Sequence, residues 1–507
     1  MTARLAVLVA LALAAVPAVA QPGRPVPVAP PPVAGPAYQH VPLTGPPPAQ
    51  AHIWQAYDAM FDGNDELARR LAADALRIMP DMVVAHLTQS FLAKRPEDAK
   101  QHLDAATAAA KAQKLLPWEK VWLQIAQARH AGKAAQELKL QDARIKAQPM
   151  EPWFYLFRAV QYRALDLPPM TEKARLDLEK AVSLWPTFRA AWNLLGYVYV
   201  AQGRANEALN ALTKYVQLSP RLPNPHDSLG EVLLRVKRLR DAEAEYRTAL
   251  RLDGAFHASR IGLGYTLVNA GIMTRQPNAS PQGYQEYELA FAKSHEPWIK
   301  ASALQFIAMS YLLEGKISRA NESLERYEAF SRSLNNPDML AQALTFNSMV
   351  YGVLGFYRQA SAKADEAALV ASDPRTTPAV KQTVTVKRAV IKAMILLELG
   401  EPAAAEARLK EIAKLAPNAV WIQQLAGEMK GVAGVFKGDP KKAVALLANA
   451  TEDQPAALYY LARAQHKAGD VNGARGTYTR LAESTVLRPD VALWRFAAQE
   501  ALRQPAR

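Results

Sequence analysis

The sequence predicts an all-α protein, an α-solenoid in which antiparallel helix hairpins stack into a right-handed superhelix. Two observations carry this. Gly196, Gly230 and Gly264 stand at equal 34-residue spacing, each within the same order of large and small residues. Prolines recur where such a unit should close a helix, as at Pro186 and Pro220, because proline removes an amide donor and clashes with the preceding turn.

The clearest unit is 189–222. Trp192, Leu195, Gly196, Tyr199, Gly203, Ala208, Leu212, Tyr215 and Pro220 fall at repeat positions 4, 7, 8, 11, 15, 20, 24, 27 and 32. Small residues at 8 and 20 let two antiparallel helices approach, and large ones at 4, 7, 11 and 24 fill the space between them. Residues 223–256 repeat the order with Leu229, Gly230, Leu233, Ala242, Tyr246 and Ala249, but place His226 at position 4 and Gly254 at 32. A further copy opens with Leu263, Gly264, Leu267 and Gly271 and then departs. Upstream, 155–188 carry Tyr162, Leu165, Ala174, Leu178, Ala181 and Pro186, and 49–82 carry Ala56, Gly63, Ala68, Ala75 and Pro80. Between them a unit at shifted spacing holds Ile125 and Gly132. Downstream, Gly315, Gly355, Gly400, Gly438 and Gly469 mark looser units, for about ten in all.

This pattern resembles the tetratricopeptide repeat, over nearly all of residues 49–487. One hairpin cannot bury its own apolar flank, so the units must stack. The resemblance implies a concave face lined by first-helix side chains and a protein or extended peptide as ligand. It places Asn193 and Tyr197, then Asp227, Glu231 and Arg235, then Tyr265 and Asn269 (with Ile261) on that face. Family members that clamp a terminal carboxylate use Lys and Asn at positions 5 and 9. Here those positions hold Asn193 and Tyr197, which argues against that clamp.

The N-terminus reads as a signal peptide over 1–20. Arg4 precedes an apolar run from Leu5 to Val16, and Ala18-Val19-Ala20 forms a cleavage pattern. Export to the periplasm is expected, without a lipid anchor because no cysteine is present, and no later stretch has the roughly 20 apolar residues of a membrane span. Residues 21–48 form a proline-rich linker, expected to be extended and not helical. The N-terminal array then spans 49–271, an irregular insertion or hinge 272–298, a second array 299–487, and a cap and tail 488–507.

Chemistry is sparse. The nine histidines include no metal-protease helix pair, and neither a nucleophile elbow nor a phosphate-binding loop occurs. Without cysteine there is no thiol nucleophile or thiolate metal site. No enzyme activity, cofactor or metal is expected. The net charge of +14 would suit nucleic acid inside a cell, but export and the absence of a nucleic-acid motif point instead to proteins, with anionic envelope polymers as further partners. A scaffold or assembly factor of an envelope complex is the expected role; a polysaccharide or cell-wall ligand, suggested by nine tryptophans, is the alternative. The basic cluster Arg235, Lys237, Arg238 and Arg240 falls on a hairpin turn and reads as solvated charge.

Overall fold

The structure is a computed structural model that describes residues 40–503 apart from 94–95, 165–167, 275–278 and 416–419. The expected signal peptide, most of the linker and the last four residues of the tail lie outside these. Among the described residues every regular element is an α-helix. In order they are α1 (Pro47–Phe61), α2 (Asp65–Ile78), α3 (Val83–Leu92), α4 (Pro96–Ala112), α5 (Pro117–His130), α6 (Ala134–Ala147), α7 (Pro152–Ala164) and α8 (Pro168–Leu184). Next come α9 (Arg189–Ala201), α10 (Ala205–Leu218), α11 (Pro223–Arg235), α12 (Leu239–Leu252), α13 (His257–Thr274), α14 (Ala279–Lys293), α15 (Pro297–Leu313) and α16 (Ile317–Ser333). The remainder are α17 (Pro337–Val353), α18 (Tyr357–Ala371), α19 (Pro378–Glu398), α20 (Pro402–Leu415), α21 (Val420–Phe436), α22 (Pro440–Leu447), α23 (Pro455–Lys467), α24 (Val471–Ala482) and α25 (Pro489–Arg503). They make twelve hairpins and a closing helix.

The repeat positions do what their residue types require. A Cβ on Gly196 would lie 2.6 Å from the Leu212 side chain, and one on Gly230 3.1 Å from Tyr246. The small residue at position 8 is therefore what brings the two helices of a hairpin together. At position 15 the chain turns through the left-handed region. Gly203 has φ 71° there, and in the next repeat Lys237 takes the same conformation at φ 63°. Position 4 carries a ring that donates to a carbonyl six residues earlier. Trp192 reaches Pro186 O at 2.9 Å, and the Nε2 of His226 and of His86 reach Pro220 O at 3.0 Å and Pro80 O at 2.9 Å. Histidine can replace tryptophan at this position because both offer a ring N–H there.

Two compact units result. Of the described residues, one unit takes those up to Val232 with Glu245–Phe256, and the other Leu233–Ala244 with those from His257 onward. Within each, first helices of successive hairpins touch (α3 with α5, α17 with α19, α21 with α23), which puts them on the tighter, inner side. In the C-terminal unit the closing helix α25 packs on α15, α17 and α23. Its buried Arg495 donates to Ala482 O at 2.9 Å and to Asn269 Oδ1 on α13. The same unit ties in its earliest residues. Arg235 pairs with Asp453 at 2.6 Å, Lys237 with Glu483 at 2.8 Å, and Thr485 donates to Leu234 O at 2.5 Å. Two members of the basic turn cluster thus hold the unit together.

Three expectations need correction. The expected irregular insertion or hinge over 272–298 holds a regular helix, since Ala279–Lys293 forms α14 and packs on α13. The approach depends on glycines of both helices: a Cβ on Gly264 would lie 2.6 Å from the Tyr287 ring, and one on Gly283 2.6 Å from Gly264 O. The linker does not run extended to residue 48, because Pro47 and Pro48 form the first turn of α1, where a missing N–H breaks no helical bond. Twelve hairpins replace about ten, and one without an expected marker is Val83–Ala112, whose sequence holds no glycine.

Candidate functional site

The inner side of the N-terminal unit is filled with rings. Trp153, fully buried, lies 5.6 Å from Tyr57, Phe61 and Phe157 and 4.6 Å from Phe188. Arg144 on α6 is buried beside them, its guanidinium 4.3 Å from the Phe154 ring and 5.1 Å from Trp122. Burial lowers its pKa to about 9. Helix α1 is fastened across this unit by Arg189, which pairs with Asp62 at 2.7 Å, and by the Tyr215 hydroxyl, 3.2 Å from the same carboxylate.

The residues expected to line a ligand face are engaged within the chain. Asn193, Tyr197 and Asp227 are buried, and the Tyr197 hydroxyl donates to Glu231 at 3.0 Å. These two occupy position 9 of consecutive repeats, and Arg163, at the same position one repeat earlier, lies 6.0 Å from the Tyr197 ring. Arg235 is bound by both oxygens of Asp453. Tyr265 and Asn269 are fully buried, and the Asn269 amide donates to Tyr265 O at 2.7 Å.

None of these seven lines the cavity in the C-terminal unit, about 1300 Å³ in volume. Met349 and Val353 of α17, Met394 of α19 and Leu425 of α21 supply apolar wall. Opposite them Tyr459, Tyr460, Tyr478 and Trp494 form one ring cluster, with Tyr459 5.4 Å from Tyr478 and 5.2 Å from Trp494. Helix α19 adds the cation Lys387, and α23 adds Arg463 and Lys467.

A sequence model of the tetratricopeptide repeat matches residues 171–223 and 429–490. Those two stretches carry tetratricopeptide repeats. No curated protein sequence matches it. Solved structures with local similarity include a thermophilic tetratricopeptide-repeat protein of Thermus thermophilus, 19% identical over 43% of this chain and 99% of that one, with TM-score 0.29. Others are PilW, described as a type IV pilus biogenesis factor (16% identity, 42% and 92% of the two chains, TM-score 0.34), and a tetratricopeptide-repeat protein of Parabacteroides merdae (13%, 53% and 98%, TM-score 0.38). Tetratricopeptide repeats form non-catalytic scaffolds that bind proteins or peptides.

In this repeat protein the cavity's charges differ in how they are satisfied. Glu398 is held by Arg463 and by the Tyr460 hydroxyl at 2.9 Å. Arg488 chelates Asp490 and donates to Asp453 O at 3.0 Å. Glu428 accepts from Gln454, and burial raises its pKa. Lys387 has no hydrogen-bond or ion-pair partner among the described residues; burial lowers its pKa, which Asp490 partly offsets and Arg488 reinforces. Among the described residues no His/Cys/Asp/Glu group could hold a metal, and no helix is long and apolar enough to cross a membrane. The sequence did not single out the cavity, because its walls come from several repeats and from α25, which follows the last one.

Proposed function

We propose that this chain is an exported, non-catalytic scaffold that recruits a protein partner by taking one of its peptide segments into the C-terminal cavity. The observation that carries the reading is the pairing of an apolar, ring-lined cavity of about 1300 Å³ with a Lys387 ammonium lacking an ion-pair partner among the described residues. Small-molecule pockets run to roughly 1,000 Å³, so this space suits several side chains of a segment. The occupant is an apolar segment bearing one carboxylate. Its side chains cover the tyrosines and its carboxylate neutralises Lys387, which gains a partner it otherwise lacks. The acidic side chains of the wall are engaged by Arg463, Arg488, Arg235, Arg503 and Gln454, which leaves attraction for an anion. A glycan ligand loses much of its support because Trp54, Trp118, Trp122 and Trp153 are buried in packing of the N-terminal unit.

The test compares what the chain retains when purified from the envelope. Lys387→Glu should lose a partner that Lys410→Glu, altered at a side chain 72% exposed, retains. Equal retention by both would overturn the reading. Export rests on the charged start, apolar run and small-residue cleavage pattern of residues 1–20. Fusing residues 1–25 to a reporter active only in the periplasm should produce activity, and a cytoplasmic reporter would remove the envelope from the proposal.

A further inference from the structure

Residues 40–46 contain no helix, yet they are held against the N-terminal ends of first helices in the N-terminal unit. Every backbone N–H of residues 41–44 has an acceptor on a side chain of the array. Val41 N donates to Glu151 Oε2 at 3.1 Å, Leu43 N to Gln50 Oε1 at 2.9 Å, and Thr44 N to Glu119 Oε1 at 2.7 Å. Pro42 has no N–H to satisfy. The Thr44 hydroxyl donates to the second oxygen of Glu119, and the Gln50 amide returns a bond to Gly45 O at 2.7 Å. Leu43 is buried, and the His40 ring stacks on Trp54 at 4.5 Å with its edge toward Trp185 at 5.5 Å.

We propose that this edge is a peptide-binding site occupied in cis, and that His40–Gly45 is its intramolecular ligand. An extended chain whose amides are read by side chains, with an apolar anchor between them, is held as a bound peptide is held. The two carboxylates explain why the site calls for such an occupant. Glu119 and Glu151 are buried with the segment in place, and losing it would strip from each carboxylate a donor that another extended backbone can replace. The ligand class is an extended segment with the order ring, apolar, proline, apolar, hydroxyl. The in-chain copy joins α1 directly, so its effective concentration is on the order of millimolar and it excludes weaker competitors.

The probe is a fluorescent peptide of residues 38–46, offered to the intact chain, to a chain beginning at Pro46, and to full-length Leu43→Asp, whose altered anchor would put a carboxylate into the apolar cluster that holds Leu43. Saturable binding is expected to the last two chains, at least about tenfold tighter than to the intact chain. A Thr44→Val peptide should bind about tenfold more weakly, having lost a charge-assisted hydrogen bond. Folded strap-free chains that bind the peptide no better than the intact chain would overturn the proposal. Loss of helical circular dichroism in both altered chains would also overturn it, by making the segment part of the fold.

Discussion

The two units use the same hairpin and differ in what fills its inner side. In the N-terminal unit Trp54, Tyr57 and Phe61 of α1 meet Trp153 and Phe157 of α7 in a continuous ring cluster. In the C-terminal unit α25 closes against α15, α17 and α23, and a cavity of about 1300 Å³ remains beside it. The comparison shows that the repeat determines how two helices pair, whereas the helices at the ends of an array determine whether its interior is open. Neither α1 nor α25 gains its inner contacts from a repeat position alone. Both follow from particular rings and arginines, such as Arg189 and Arg495.

The largest expected effect breaks the ring cluster. Trp153→Ala should destabilise the N-terminal unit by roughly 3–5 kcal/mol, the range for removing a large buried ring. Hydrogen exchange should then accelerate across α1, α5, α7 and α9 while α17 to α23 keep their protection. Loss of protection in both would mean that the units do not fold as separate cores.

A smaller effect compares one repeat position across the units. Gly196→Leu and Gly264→Leu should each cost about 1–3 kcal/mol by overpacking, with Gly264 the worse. At Gly196 the obstacle is a leucine side chain that can move, whereas at Gly264 it includes the backbone oxygen of Gly283 at 2.9 Å. Urea unfolding checks the order, and a reversed order would refute the close α13–α14 contact.

The smallest effect is confined to pH. Burial raises Glu151 from 4.5 to about 7, against hydrogen bonds from Val41 and Trp153 and the nearby Arg144. The folded chain therefore keeps a proton that the unfolded chain has lost between those values, and stability falls as pH rises through the window. Asp58, raised by burial from 3.8 to about 6 against the pull of Arg189, acts in the same direction. Glu151→Gln removes its share. Its melting temperature should match the parent's at pH 4.5 and exceed it above pH 7, and a difference independent of pH would contradict the burial of this carboxylate.

The hairpins were legible because their cause is local. Gly196, Gly203 and Ala208 each answer a contact or a dihedral within one 34-residue unit. The α13–α14 pair was misread because Gln276-Pro277-Asn278 looks like a break, while the glycines that join its two helices lie on either side of it. The prolines were half understood. Pro297, Pro337, Pro378 and Pro455 open the next helix at its first position as well as following the previous one. The ligand face was harder to read. Tyr197, Glu231 and Asn269 lie on first helices, and their partners are Glu231 for Tyr197, Tyr197 for Glu231 and Arg495 for Asn269. Spacing gives a side chain's place on its helix and not whether a residue from far along the chain already occupies the space before it.

Site-specific photo-crosslinking in cells tests the open C-terminal interior most directly. A photoreactive residue replacing Met394, in the cavity wall, is compared with one replacing Leu369, 73% exposed and outside the cavity lining. The account predicts crosslinks from position 394 to an apolar, carboxylate-bearing segment of one protein, abolished by Lys387→Glu, and no such crosslink from position 369. Equal crosslinking from both positions, or a crosslink at 394 that survives Lys387→Glu, would contradict it.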